Sequence, residues 1–347
     1  MTAYEPRTRH FSAGDVIDQR SDMYDRLGGT ELSNFQFREL ITGTLGKSLT
    51  MRDPVTGMPR SRTAFSHVPA LIYVHLKMSE VFRVSADMTE LITHAAALLD
   101  DTDRWSPDLL PTEAGFVRFD KPLVLNDARG NDMLIHAMTW GPADLAGPDG
   151  ERLAERATFV TMWNDVEVEP DFYATQMLND HALWLRRVNA RWSFVGAEVL
   201  TEGTRMGPAL LDPAQLGAKD PTLSTPFTNN FRLIMALCML MEQTIVTTES
   251  ERPNTHARRR AKERKLPQRD ITVVTLRRRS MPSQGGESGS EAAKREWHHR
   301  WIVRGHWRWA RVGPGRQETR RVWVSGHVKG PEDKPLRVTQ KVYDLKR

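Results

Sequence analysis

A chain of 347 residues with 39% hydrophobic and 27% charged content is a globular protein long enough for two domains. Its longest apolar run, Leu233 to Met241, is far too short for a membrane span, and no basic-then-apolar leader opens it at Met1. One cysteine, Cys238, allows no internal disulfide, so a cytoplasmic protein is expected (the host cytoplasm, if a phage encodes it).

The formal net charge of +5 hides an asymmetry. Residues 252–347 carry 26 Lys and Arg against 9 Asp and Glu, a net of +17. Residues 1–251 then carry 23 against 35, a net of −12. Such a split suggests two surfaces with different partners, the basic one for nucleic acid. The competing reading is a basic end that docks on an acidic one within the molecule.

In chain order, residues 1–20 are polar and aperiodic and read as loosely held. Leu32, Phe35, Leu40, Ile41 and Leu45 give Glu31–Leu45 a helical pattern, and 50–66 reads as loop. Ala70–Val74 is a short apolar run expected to be a buried strand. Asp87 reads as the N-cap of a helix whose face is Met88, Leu91, Ile92, Ala95, Leu98 and Leu99.

From Thr112 the texture becomes β. Strands are expected at 115–119, 122–125, 133–140 and 158–163, with turns at Asp127–Gly130 and Gly147–Gly150. A helix is expected over Phe172–Val188 and a Pro- and Gly-rich loop over 203–226. Thr225-Pro226 opens the clearest helix, apolar nearly all round and so destined for a core. Cys238 on it reads as an inert buried thiol.

Next come a basic helix, Asn254 to Lys265, and a strand, Asp270 to Leu276. Ser280–Ala293 is Gly- and Ser-rich linker, and a final strand is expected at Lys341–Leu345. Between them lies WHHRWIVRGHWRWARVGPGRQETRRVWVSGHV, Trp297 to Val328, with five tryptophans among arginines and histidines and Gly313-Pro314-Gly315 as its turn. It reads as a hairpin. Period-2 alternation puts Trp301, Val303, Trp307 and Trp309 on one face, with Ile302, Arg304, His306 and Arg308 on the other. On the second strand Val322, Val324 and Val328 alternate with Arg321, Trp323, Ser325 and His327. The valines are expected to pair with the tryptophan face as a small core, leaving arginines for phosphate and any exposed aromatic for unpaired bases.

The fold expected is α+β: a mixed body of short strands and helices, a buried helix near 226–246, and a small C-terminal β-hairpin or sheet. The divisions are an acidic body over 1–215, a core helix, basic helix and strand over 216–279, a linker over 280–295, and a basic β region over 296–347. Candidate nucleic-acid contacts are Arg258, Arg259, Arg260, Lys262 and Arg264 on the helix. In the hairpin they are Arg304, His306, Arg308, Arg311, Arg316, Arg320 and Arg321. No cofactor is expected. His298, His299, His306 and His327 lack a cysteine partner or zinc spacing, so no metal is expected either. No residue is assigned a catalytic role, although His306 and His327 are the acid–base pair a ribonuclease would use. A DNA-binding regulator or replication accessory is the other alternative.

Three sets of residues also carry a resemblance. They are Leu110–Phe116 running into Pro122–Leu125, Arg258–Ala261 followed by Ile271–Arg278, and Arg304-Gly305-His306-Trp307-Arg308 with Arg321–Val324. Together they resemble a broad group of proteins from phages and actinobacterial genomes, related to the type V anti-CRISPR family that suppresses production of the CRISPR effector nuclease. The resemblance implies recognition of a nascent polypeptide coupled to loss of its messenger RNA. It implies no catalytic residue at any position of this chain. A mobile-element protein that binds RNA and a host protein, inhibiting expression of a host defence protein, is the reading carried forward.

Overall fold

The computed structural model describes residues 6–29, 34–39, 41, 68–100, 102–126, 132–146, 152–170, 191–203, 227–277, 301–303 and 305–329. The expected turns at Asp127–Gly130 and Gly147–Gly150, the Phe172–Val188 helix, the linker and the Lys341–Leu345 strand lie outside them. So does nearly all of the 203–226 loop. The chain forms two compact units, one of residues 1–242 with 246–276, the other of 243–245 with 277–347.

The first unit is built on a seven-stranded mixed sheet, β5-β4-β3-β2-β1-β7-β6. Its strands are β1 (Glu80–Val84), β2 (Gly115–Asn126), β3 (Asp132–Ala146), β4 (Arg152–Asp165), β5 (Trp192–Leu200), β6 (Val246–Glu251) and β7 (Ile271–Leu276). β2 to β5 form an antiparallel meander, while β1 runs parallel to both neighbours, β2 and β7. Helices cover both faces. On one lie α1 (Ala13–Gly28), α2 (Val68–Met78) and α5 (Thr255–Glu263), packed on Val81, Phe116, Ala137, Trp163 and Ile271. On the other lie α3 (Ala86–Ala97) and α4 (Phe227–Met241), with Phe82, Val84 and Val117 beneath them. α+β is therefore the fold class.

Several local expectations are overturned. Ala70–Val74 is helical: the buried residues of α2 are Val68, Pro69, Ile72, His75 and Leu76, a spacing near four that a five-residue window cannot display. Ile41 is buried as expected, but Phe35 is exposed and Phe37, four residues before Ile41, points inward in its place. The N-cap of α3 is Ser85, whose hydroxyl accepts from the Met88 N–H; Asp87 lies in the first turn. The strands expected at 115–119 and 122–125 are one strand with a bulge between Arg118 and Leu123.

From Pro6 onward the N-terminal segment is not loose. Ser12 and Asp15 form a capping box that starts α1, and Val16, Ile17, Met23 and Leu27 of that helix are buried. Ahead of it, the Arg9 N–H donates to the Asp120 carbonyl, and Arg83 reaches the Phe11 carbonyl at 2.5 Å and Glu251 at 2.9 Å. The segment is thus pinned to β1, β2 and β6.

Two other expectations hold. α4 buries every residue from Leu233 to Leu240, as an all-round apolar helix must. α5 begins at an Asn254 N-cap and buries only Ala257 and Ala261.

Inside the sheet Trp140 lies across Gly115, its cross-strand partner, and donates from Nε1 to the Thr112 carbonyl at 3.0 Å. A Cβ at Gly115 would stand 2.0 Å from that indole, so only glycine fits. Deeper still is an ionic cluster. Asp165 accepts from Arg118 at 2.9 Å and from Arg191 at 2.9 and 2.6 Å. Arg118 also donates to the His136 carbonyl, and its guanidinium lies 4.3 Å from the Phe11 ring centroid. The His136 Nδ1 accepts the Asp165 N–H at 3.3 Å, which makes the imidazole neutral with its proton on Nε2.

Burial, with the Arg118 cation beside it, pushes the His136 pKa down to about 3. The unfolded chain, with an ordinary histidine near ~6.5, therefore binds the extra proton between those values, and stability falls as pH drops through that window. The expected slope from this residue is about 1.4 kcal/mol per pH unit. Denaturant titrations between mildly acidic and neutral pH should show His136→Gln removing that part of the slope; an unchanged slope would mean that His136 is not held neutral.

Candidate nucleic-acid interface

The second unit carries the basic excess. It holds 18 Lys and Arg against 7 Asp and Glu, a net of +11, which leaves −6 for the first unit. Its described part is a long hairpin in two sections. β9 (His306–Val312) pairs antiparallel with β10 (Glu318–Val324), and beyond a break β8 (Trp301–Val303) pairs with β11 (His327–Lys329). The loop turns where expected: Gly313 and Gly315 have φ of +77° and +66°, the left-handed region that glycine enters without strain.

The register corrects which side chains share a face. Trp307 stands opposite Trp323, Trp309 opposite Arg321, and Arg311 opposite Thr319. The valines belong to the other face, Val322 opposite Arg308 and Val324 opposite His306. Alternation orders each strand alone, whereas the loop of 313–317 decides which parity on β10 meets which on β9.

One face therefore holds Trp307, Trp309, Trp323, Arg311 and Arg321, and the other holds His306, Arg308, Arg320, Val322 and Val324. Trp307 and Trp323 are buried and meet edge to face at 5.1 Å between centroids. Gly305 packs against the Trp323 ring. Trp309 is 53% exposed, with the Arg321 guanidinium 4.8 Å from its ring centroid. The structural role expected for the tryptophans thus applies to two of the three described here.

His306, Arg308, Arg311, Arg316 and Arg320 are all exposed, and Arg321 is half-buried. Arg304 lies outside the described residues, as does the His327 side chain. The helix arginines are placed differently. Arg260 makes a bidentate pair with Asp18 of α1, Arg264 reaches Asp25 of α1 at 2.6 Å, and Arg259 reaches Glu263 within α5 at 3.0 Å. Asp18 and Asp25, seven residues apart, share a face of α1. Arg258 is half-buried and Lys262 exposed. The two basic elements named from sequence thus differ in kind. On α5 the competing reading, basic docking on acidic within the molecule, describes Arg260 and Arg264, while the hairpin turns its arginines outward.

The first unit also has a cleft of about 380 Å³, lined by Phe82, Leu110, Pro111, Cys238, Met241 and Glu242 among others. Burial, then the Glu242 carboxylate, raises the Cys238 pKa well above the thiol range, so its sulfur is no nucleophile. Among the described residues no group of His, Cys, Asp or Glu is arranged to hold a metal ion.

No family model and no curated protein matches this sequence. One solved structure, "Crystal structure of AcrVA2", aligns over 91% of this chain and 93% of its own at 12% identity, with a TM-score of 0.36. A superposition of that quality transfers neither fold nor function.

Gln243 bonds the backbone edge of β10. It is 7% exposed, its Oε1 accepts the Trp323 N–H at 3.2 Å, and its Nε2 donates to the Arg321 carbonyl at 3.4 Å. Gln243→Ala should strand that buried N–H at a cost of about 1–3 kcal/mol. Hydrogen exchange would register this as faster exchange at the Trp323 amide; unchanged protection would show that the contact carries no stability.

Proposed function

We propose that this protein binds nucleic acid, RNA in the first instance, through the basic hairpin of its second unit. The observation that supports this best is the outward display of Arg308, Arg311, Arg316 and Arg320 on both faces of one ribbon. Guanidiniums of this kind contact phosphate oxygens without reading sequence, and the resulting affinity is electrostatic. Arg260 and Arg264 of α5 are assigned a secondary role at most, because each has a carboxylate partner on α1.

The first unit, net acidic, is proposed to meet a protein partner. The resemblance carried by Leu110–Phe116, Arg258–Ala261 and Arg304–Arg308 suggests the setting: a phage or mobile-element protein that lowers expression of a host defence protein in the host cytoplasm. No described helix is long and apolar enough to cross a membrane.

Retention of labelled RNA on a filter by the full chain tests the reading. The affinity should fall steeply with salt, and Arg308→Gln/Arg311→Gln/Arg320→Gln together should flatten the slope of log affinity against log salt by about 2, at roughly 0.7 per lost phosphate contact. Arg260→Gln/Arg264→Gln should change it far less. Preference for duplex DNA would favour a DNA-binding regulator, and no salt-dependent binding to either nucleic acid would end the proposal.

A further inference from the structure

Resting on the reading of the hairpin as a nucleic-acid contact, we propose that Trp309 is a base-stacking platform that selects unpaired strands over duplex. The hairpin gives its three described tryptophans two treatments. Trp307 and Trp323, directly opposed, close on each other and are 7% and 5% exposed. Trp309, two residues along the same face, is 53% exposed. It is the one large apolar side chain on β9 and β10 left open in this way.

Its surroundings specify the occupant. Arg321, its cross-strand partner, lies 4.8 Å from the ring centroid and holds the indole by a cation–π contact. Arg311 follows on the same face of β9, about 7 Å along the strand at its usual rise. An apolar partner surface would bring the exposed Arg311 guanidinium into a dry interface. A strand of nucleic acid instead supplies a flat π-system for the indole and a phosphate for Arg311. In a duplex the base faces are already stacked on one another, so the ring finds no partner there. Unpaired nucleotides present those faces, and stacking on an aromatic side chain tolerates any base.

The test uses the full chain and fluorescence anisotropy with a short labelled oligouridine, the same strand made abasic, and an RNA duplex of equal length, all at one salt concentration. Wild-type protein should bind oligouridine more tightly than the duplex. Trp309→Ala should weaken oligouridine binding by roughly five- to hundredfold, with abasic and duplex affinities and the salt slope unchanged. Trp309→Phe should retain most of the affinity. Trp309→Leu, which keeps apolar area without a π-face, should behave like the alanine variant. Matching circular dichroism and thermal midpoints of the phenylalanine and leucine variants exclude misfolding as the cause of a difference between them. Equal loss on all three probes, or no loss on oligouridine, as expected if the indole docks a protein chain, overturns the stacking role and leaves the phosphate reading standing. Failure of wild-type protein to bind any of the three overturns the phosphate reading itself.

Discussion

The first unit depends on one carboxylate. Asp165, at the end of β4 and fully buried, stands between the guanidiniums of Arg118 on β2 and Arg191 just ahead of β5. Burial alone would raise its pKa, but the Arg191 hydrogen bonds and the two cations more than offset that, and the net shift is downward. Arg118 is itself fully buried, and burial lowers its pKa to about 9 despite Asp165. Its guanidinium is sandwiched between aromatic side chains, 4.3 Å from Phe11 and 5.5 Å from Trp192. Removing the carboxylate would leave Arg118 buried with only the weaker pull of Asp120 as counter-charge, a strongly destabilising arrangement. The N-terminal segment is drawn in by the same device, because Phe11 is one of the two rings on Arg118.

Patterns that one element carries within itself were legible in the sequence. The all-apolar stretch of α4, the basic helix α5, the β texture from Gly115 to Trp163 and the Gly313-Pro314-Gly315 turn each declare themselves locally. What escaped was set by partners elsewhere. Ala70–Val74 has a strand's composition, yet His75 and Leu76 extend the buried face around a helix. β1, the strand between two parallel neighbours, has only five residues and was passed over, as were β5 and β6. The polar letters of 1–20 hid a capping box and an arginine, Arg20, that is fully buried and bonded to the Ser79 and Pro267 carbonyls. In the hairpin the alternation within each strand was readable and its match across the strands was not, because pairing is a property of two strands.

Charge shows the same division. A count of arginines treats α5 and the hairpin alike. Position separates them: in α5 the alanines Ala257 and Ala261 press against the first helix and bring Arg260 and Arg264 onto Asp18 and Asp25. Ion pairs this exposed contribute at most about 1 kcal/mol each, yet they occupy the side chains. On the hairpin, Arg308, Arg311, Arg316 and Arg320 are exposed to solvent.

The parallel pairing of β1 with β7 also governs when the sheet can exist. Phe82 lies opposite Thr272, so one edge of β1 stays bare until almost two hundred further residues have left the ribosome. During that interval the strand's backbone N–H and C=O groups, beside Val81, Phe82 and Val84, form an open sheet edge of the kind that recruits foreign strands. Contacts of such long sequence separation make closure slow. The growing chain thus carries an open strand edge through much of its own synthesis, and the arrival of β7 is the event that retires it.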